Sequence, residues 1–140
     1  MMAFQAGGPH AQDRGLEAIA YAWQEMHRCP PAATWTKRVS KTDSVTLEKT
    51  YHVVPRGIAV TVGCSTFPTW NSYPGLFASL ATGNSVVIKP HPGAILPLAI
   101  TVEVCRDVLA EAGFDPNLVM LACDTPEAPV TATVRMPIFS

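Results

Sequence analysis

Two stretches decide how this chain folds: Gly57-Ile58-Ala59-Val60-Thr61-Val62-Gly63 and Gly83-Asn84-Ser85-Val86-Val87-Ile88-Lys89-Pro90-His91-Pro92-Gly93. Each contains a short, β-branched apolar run bounded by glycine or proline, the pattern of a strand buried on both faces. Between them, residues 73–81 read as a helix that Gly83 closes from the left-handed position after its last turn. Farther on, residues 96–112 are amphipathic. Ile100, Val104, Val108 and Leu109 form one stripe, Glu103, Arg106, Asp107 and Glu111 lie opposite, and Gly113 ends the segment. Leu118-Val119-Met120-Leu121-Ala122 is a third apolar run.

The order strand, helix, strand, helix, strand, with every strand apolar, predicts an α/β fold built on a parallel sheet with helices on both faces. This is the first half of a Rossmann-like, doubly wound sheet. Ligands in such sheets sit outside the carboxyl ends of the strands, here residues 63–68, 89–93 and 123–126.

Working back towards the start, residues 1–12 are rich in glycine, alanine and proline and are expected to be disordered. A helix is expected over 13–28, with Asp13 as N-cap and Leu16, Ile19, Ala20, Trp23 and Met26 on one stripe, stopping before Pro30-Pro31. Residues 32–54 alternate, as in Val45, Leu47, Lys49, Tyr51 and Val53, and predict two half-buried strands joined by a polar turn at 40–44. The resulting division is 1–12, then 13–54 (helix plus extended segment), then 55–130 (the partial sheet domain), then a tail at 131–140.

Of the 140 residues, 48% are apolar and 15% charged. Against a usual charged share of about 25%, this suggests surface meant to be covered by other protein. With Lys+Arg 10 against Asp+Glu 11 there is no basic footprint for nucleic acid. No apolar run approaches the roughly 20 residues that cross a bilayer. No secretory leader is visible, so a cytoplasmic chain is expected. Cys29, Cys64, Cys105 and Cys123 form no CxxC pair and His10, His27, His52 and His91 are scattered, which predicts reduced thiols and no metal site.

No GxGxxG and no GxxxxGK[ST] occurs. Lys89 is the most informative charge, standing directly after a strand at the ligand edge. Position alone leaves two readings: a lysine that solvates a strand end, or a cation that meets ribose hydroxyls or a phosphate.

Four segments taken together resemble the aldehyde dehydrogenase superfamily. They are Pro55-Arg56-Gly57-Ile58-Ala59-Val60, Phe67-Pro68, Leu80-Ala81-Thr82-Gly83-Asn84-Ser85-Val86-Val87-Ile88-Lys89-Pro90 and Glu111-Ala112-Gly113-Phe114. The details at Gly63-Cys64-Ser65-Thr66-Phe67-Pro68-Thr69-Trp70-Asn71 and Lys89-Pro90-His91-Pro92 are most similar to the phenylacetic acid degradation PaaN group. The resemblance implies oxidation of a small aldehyde by a cysteine nucleophile, with hydride passing to NAD or NADP and a glutamate or CoA aiding release. It implies that Lys89 contacts the adenosine ribose or its phosphate, and that Val62, Gly63, Cys64 and Ser65 line the same dinucleotide. The helix starting near Leu96 would neighbour the adenine. A full-length relative would be a homo-oligomer, with residues 34–54 resembling strands that pair subunits.

Three departures qualify what carries over. Thr66 stands where the family loop has an oxyanion-binding asparagine, and Asn71 lies five positions later, at the expected helix start. Pro92 stands where many NAD-dependent members have a glutamate, so a 2′-phosphate would meet Lys89 and His91 without a facing carboxylate, which favours NADP over NAD. The family's Gln-x-Cys and Glu-Leu-Gly-Gly-like segments do not occur, so no catalytic residue is assigned and the four cysteines are expected to be buried or half-buried spectators. The tail at 131–140 resembles a truncation or frameshift where the family begins its next helix. The expectation is an aldehyde dehydrogenase fragment unable to turn over by itself. A nucleotide-binding module without catalysis, or a gene remnant without function, are the competing readings.

Overall fold

The computed structural model describes residues 7–125 and 127–129. The chain order is α1 (Pro9–Met26), β1 (Ala32–Arg38), β2 (Ser44–Thr50), β3 (Ile58–Val62), α2 (Pro68–Ala81), β4 (Ser85–Lys89), α3 (Leu96–Glu111), a single 3-10 turn (Pro116–Leu118) and β5 (Val119–Leu121). The protein is α/β, with β3, β4 and β5 forming a parallel sheet in sequence order and β1 and β2 a separate antiparallel hairpin. No helix among the described residues is long and apolar enough to cross a membrane.

α1 starts four residues before the expected position. Pro9 occupies its first turn, where the missing N–H costs nothing, and Gly8 is the cap, so Asp13 lies inside the helix. Residues 1–6 of the segment expected to be disordered lie outside the described residues, as does the whole of the expected tail at 131–140. The buried side of α1 is also not the expected one. Ala11 and Gly15 are buried, whereas Leu16 and Trp23 are 65% and 62% exposed. The cause is close approach to α2: a Cβ on Gly15 would lie 2.8 Å from Phe77 Cδ2. Only small side chains fit at that crossing, so the large apolar ones point away.

The hairpin pairs Ala32 with Thr50 through Arg38 with Ser44. Thr36 and Thr46, directly opposite, join their hydroxyls at 3.0 Å. The turn is held by Ser40 Oγ, which accepts the N–H groups of Asp43 (2.9 Å) and Thr42 (3.2 Å). The expected half-burial is not found: every residue of β1 and β2 is exposed.

α2 begins at Pro68, five residues before the expected start, and runs through Pro74. An interior proline costs a helical hydrogen bond. Burial of Thr69, Ser72 and Leu76 against its neighbours offsets that loss. Its far end closes as expected. Gly83 takes φ +82°, and the N–H groups of Gly83 and Asn84 reach Leu80 O and Ser79 O, both at 2.9 Å. α3 ends likewise on Gly113, with φ +79°.

The core consists of Leu76 from α2, Val86 and Ile88 from β4, Leu98 and Val102 from α3, and Val119 from β5. α2 and α3 therefore share one face of the sheet, which corrects the expectation of helices on both faces. The parallel register aligns Ala59, Val86 and Val119 on that face and leaves Ile58, Val60 and Val62 on the other, where they are exposed. β3 is thus half-buried on one face and exposed on the other. The stripe of α3 is corrected too: Leu98, Val102, Cys105 and Leu109 face the core, while Ile100, Val104 and Val108 are exposed.

Candidate functional site

The carboxyl edge of the sheet gathers the residues that can bind a ligand. β4 is its centre: Gly63 N–H donates to Lys89 O at 2.8 Å, and Ala122 N–H donates to Ile88 O at 2.8 Å. These bonds carry the parallel ladder one step past the strand ends, and bring the loops after β3 and β5 beside Lys89.

Gly63 is buried where three elements converge. A Cβ there would lie 2.7 Å from Leu98 Cδ1, 3.2 Å from Ser72 Oγ and 3.6 Å from Pro90 Cα. Glycine is required by space at this position rather than by backbone angle. Ser72 Oγ is fully buried and has no hydrogen-bond partner among the described residues.

Past Gly63 the chain turns into α2 through an exposed loop. Asn71, in the first turn of α2, reaches back so that its Oδ1 accepts the Cys64 N–H at 3.2 Å, and Cys64 Sγ accepts the Phe67 N–H at 3.4 Å. Asn71 is therefore a tie for the loop, held as the fourth residue of α2. Ser65 and Thr66 are exposed. Val62 is exposed on the open sheet face, where it is the register partner of Lys89.

Lys89 is one of four buried polar or charged residues among the described residues and does not project freely into solvent. Its Nζ is ion-paired with Asp124 Oδ2, and the two side chains are 9% and 18% exposed. The sequence reading missed Asp124. It stands three residues past β5, one of the three loop positions where the parallel-sheet rule places ligands, and that rule was the available signal. An ammonium beside a carboxylate offers donors and acceptors together. This is the donor set for a vicinal diol, since the cation donates to a hydroxyl oxygen and the carboxylate accepts a hydroxyl hydrogen. The residues present therefore fit the ribose of a dinucleotide.

In the turn after Lys89, the Gly93 N–H donates to His91 Nδ1 at 3.0 Å, so the ring can donate only through Nε2. The cysteines are all free thiols. Cys29 and Cys64 are exposed, which corrects the expected burial, whereas Cys105 and Cys123 are half-buried. Burial pushes the Cys105 thiol above its ordinary value. No group of three or more His, Cys, Asp or Glu among the described residues is placed to hold a metal ion.

Comparison with known proteins turns on one solved structure. The NAD-dependent aldehyde dehydrogenase of Burkholderia multivorans is 64% identical and superposes with a TM-score of 0.85 over 89% of this chain. The chain spans 22% of that Burkholderia enzyme's length. Two more distant structures share the fold. The glyceraldehyde-3-phosphate dehydrogenase GapN of Methanocaldococcus jannaschii, solved with NADP, has 19% identity and a TM-score of 0.59 over 91% of this chain and 27% of its own. HpcC of Thermus thermophilus has 20% identity and a TM-score of 0.50 over 84% of this chain and 21% of its own. No protein-family model and no curated protein sequence matches the chain.

Proposed function

We propose that the chain is a dinucleotide-binding part of an NAD(P)-dependent aldehyde dehydrogenase. The observation that carries this reading is the 64% identity to the Burkholderia enzyme, at a TM-score of 0.85. The arrangement at the carboxyl edge supports it: Gly63 lets the loop after β3 pack closely against Leu98 and Pro90 beside Lys89, and Lys89 with Asp124 suits a ribose.

When bound, the dinucleotide supplies the hydride acceptor for aldehyde oxidation. The role assigned to this chain's own residues is to bind and orient it. Lys89 donates to ribose oxygens, Val62 to Ser65 line the same groove with their backbone, and Asn71 keeps that loop in register. The nucleophile is assigned to none of the four cysteines, so the chain alone binds cofactor and leaves aldehydes unoxidised. The finer assignment, to oxidation of a ring-opened semialdehyde in phenylacetate breakdown, rests on the resemblance of residues 63–71 and 89–92 to the PaaN group.

Calorimetric titration of NAD and NADP into the purified chain tests the reading. Saturable binding is expected, weakened at least tenfold by Lys89→Ala. No saturation by either nucleotide at millimolar concentration would overturn it, and NAD(P)H formation with any aldehyde would overturn the assignment of binding without turnover.

A further inference from the structure

We infer that Asp124 is the residue that selects between the two cofactors, and that it selects NAD. The inference rests on the dinucleotide reading above and goes beyond it, because neither the strand-end motif nor the loop after β3 assigns Asp124 a role.

Lys89 is the cation that a 2′-phosphate would need, and its charge is already answered by Asp124 Oδ2. Both side chains are largely withdrawn from water, so their charges are poorly screened there. A phosphate dianion entering this site must either displace the carboxylate from Lys89 or sit against it. The first route leaves a largely buried carboxylate without its counter-ion, and the second leaves two anions facing one ammonium. A ribose 2′-hydroxyl meets no such conflict. It accepts from Lys89 and donates to Asp124, so the pair remains intact with the diol added.

The surrounding groups do not restore a phosphate site. Pro92 carries no charge, and His91, with its Nδ1 accepting the Gly93 N–H, offers a single Nε2 donor that does not offset the Asp124 carboxylate. The missing carboxylate at position 92, which by itself favours NADP, is thus supplied from the loop after β5. Discrimination by a repulsive element of this kind acts against the wrong ligand rather than for the right one.

The test titrates NAD and NADP separately into wild type, Asp124→Asn and Asp124→Ala. Wild type is expected to bind NAD at least tenfold more tightly than NADP. Asp124→Asn, which keeps the shape and removes the charge, is expected to lower that ratio at least tenfold, chiefly by tighter NADP binding. Competition on wild type by 5′-AMP and adenosine 2′,5′-bisphosphate reads the same preference without any variant, and 5′-AMP should win. NAD binding with a ratio unchanged in both variants, or a wild type that prefers NADP, overturns the role of Asp124 and leaves the dinucleotide reading standing. Binding of neither nucleotide to wild type overturns both.

Discussion

Asn84 and Arg56, 28 positions apart in sequence, are joined by a 2.7 Å hydrogen bond from the Arg56 N–H to Asn84 Oδ1. The same oxygen accepts the Gly57 N–H at 3.1 Å, while Nδ2 donates to Thr82 Oγ1 at 2.9 Å and Ser79 O at 3.3 Å. One side chain thus fastens the entry of β3 to the end of α2 and the start of β4. The motif asparagine at position 84 has a structural task. Asn84→Ala leaves two backbone donors without this acceptor and is expected to cost about 1–3 kcal/mol in denaturant unfolding. Asn84→Asp keeps the acceptor and loses the two donations, so it should fall between wild type and alanine.

Gly15 sets the distance between α1 and α2. Gly15→Val places branched carbon where Phe77 Cδ2 stands 2.8 Å from an ideal Cβ. A destabilisation of about 1–3 kcal/mol is expected by overpacking. The same substitution in a Phe77→Ala background should cost less, and additive losses in that double-mutant cycle would show that the two residues do not meet in solution.

Gly63 is constrained by its neighbours and not by its dihedrals. Gly63→Ala brings a methyl group to 2.7 Å from Leu98 Cδ1. Part of that contact can relax through the leucine, so a loss of about 1–3 kcal/mol in stability is expected. The loop from Cys64 to Phe67 should shift with it, read as a changed rate of Cys64 alkylation.

Cys105 links stability to alkaline pH. Burial raises its thiol above the ordinary value of about 9, so the folded chain keeps a proton that the unfolded chain would release. Its contribution is complete below the unfolded value and is lost as pH rises through the folded one. Melting temperature should therefore decline more steeply above about pH 9 in wild type than in Cys105→Ala. In thiol labelling of the native chain, Cys29 and Cys64 should react ahead of Cys105, because both are exposed.

The sheet was legible in the sequence because its strands are short apolar runs between glycines and prolines; Ile58–Val62 was found with both ends in place. Which side of a helix is buried was not legible. On α3, Leu98, Val102, Cys105 and Leu109 recur with helical spacing, and so do Ile100, Val104 and Val108. Periodicity cannot choose between two apolar faces of one helix. On α1 the choice went to the smaller residues, because tight approach at Gly15 outweighed apolar area. At the site, Lys89 was visible from its place after β4. Asp124 was not, since a single carboxylate in a loop has no spacing pattern and only the fold brings it to the lysine.

The hairpin of β1 and β2 has a separate consequence. A two-stranded ribbon is marginal in water by itself, and all of its side chains are exposed here. Its backbone bonds, including those around Thr36 and Thr46, are therefore free to break while the sheet and its helices stay intact. Amide hydrogens in residues 32–50 should exchange with solvent long before those of β4, so the molecule has two melting scales in one chain, and only the slower reports on the ligand edge.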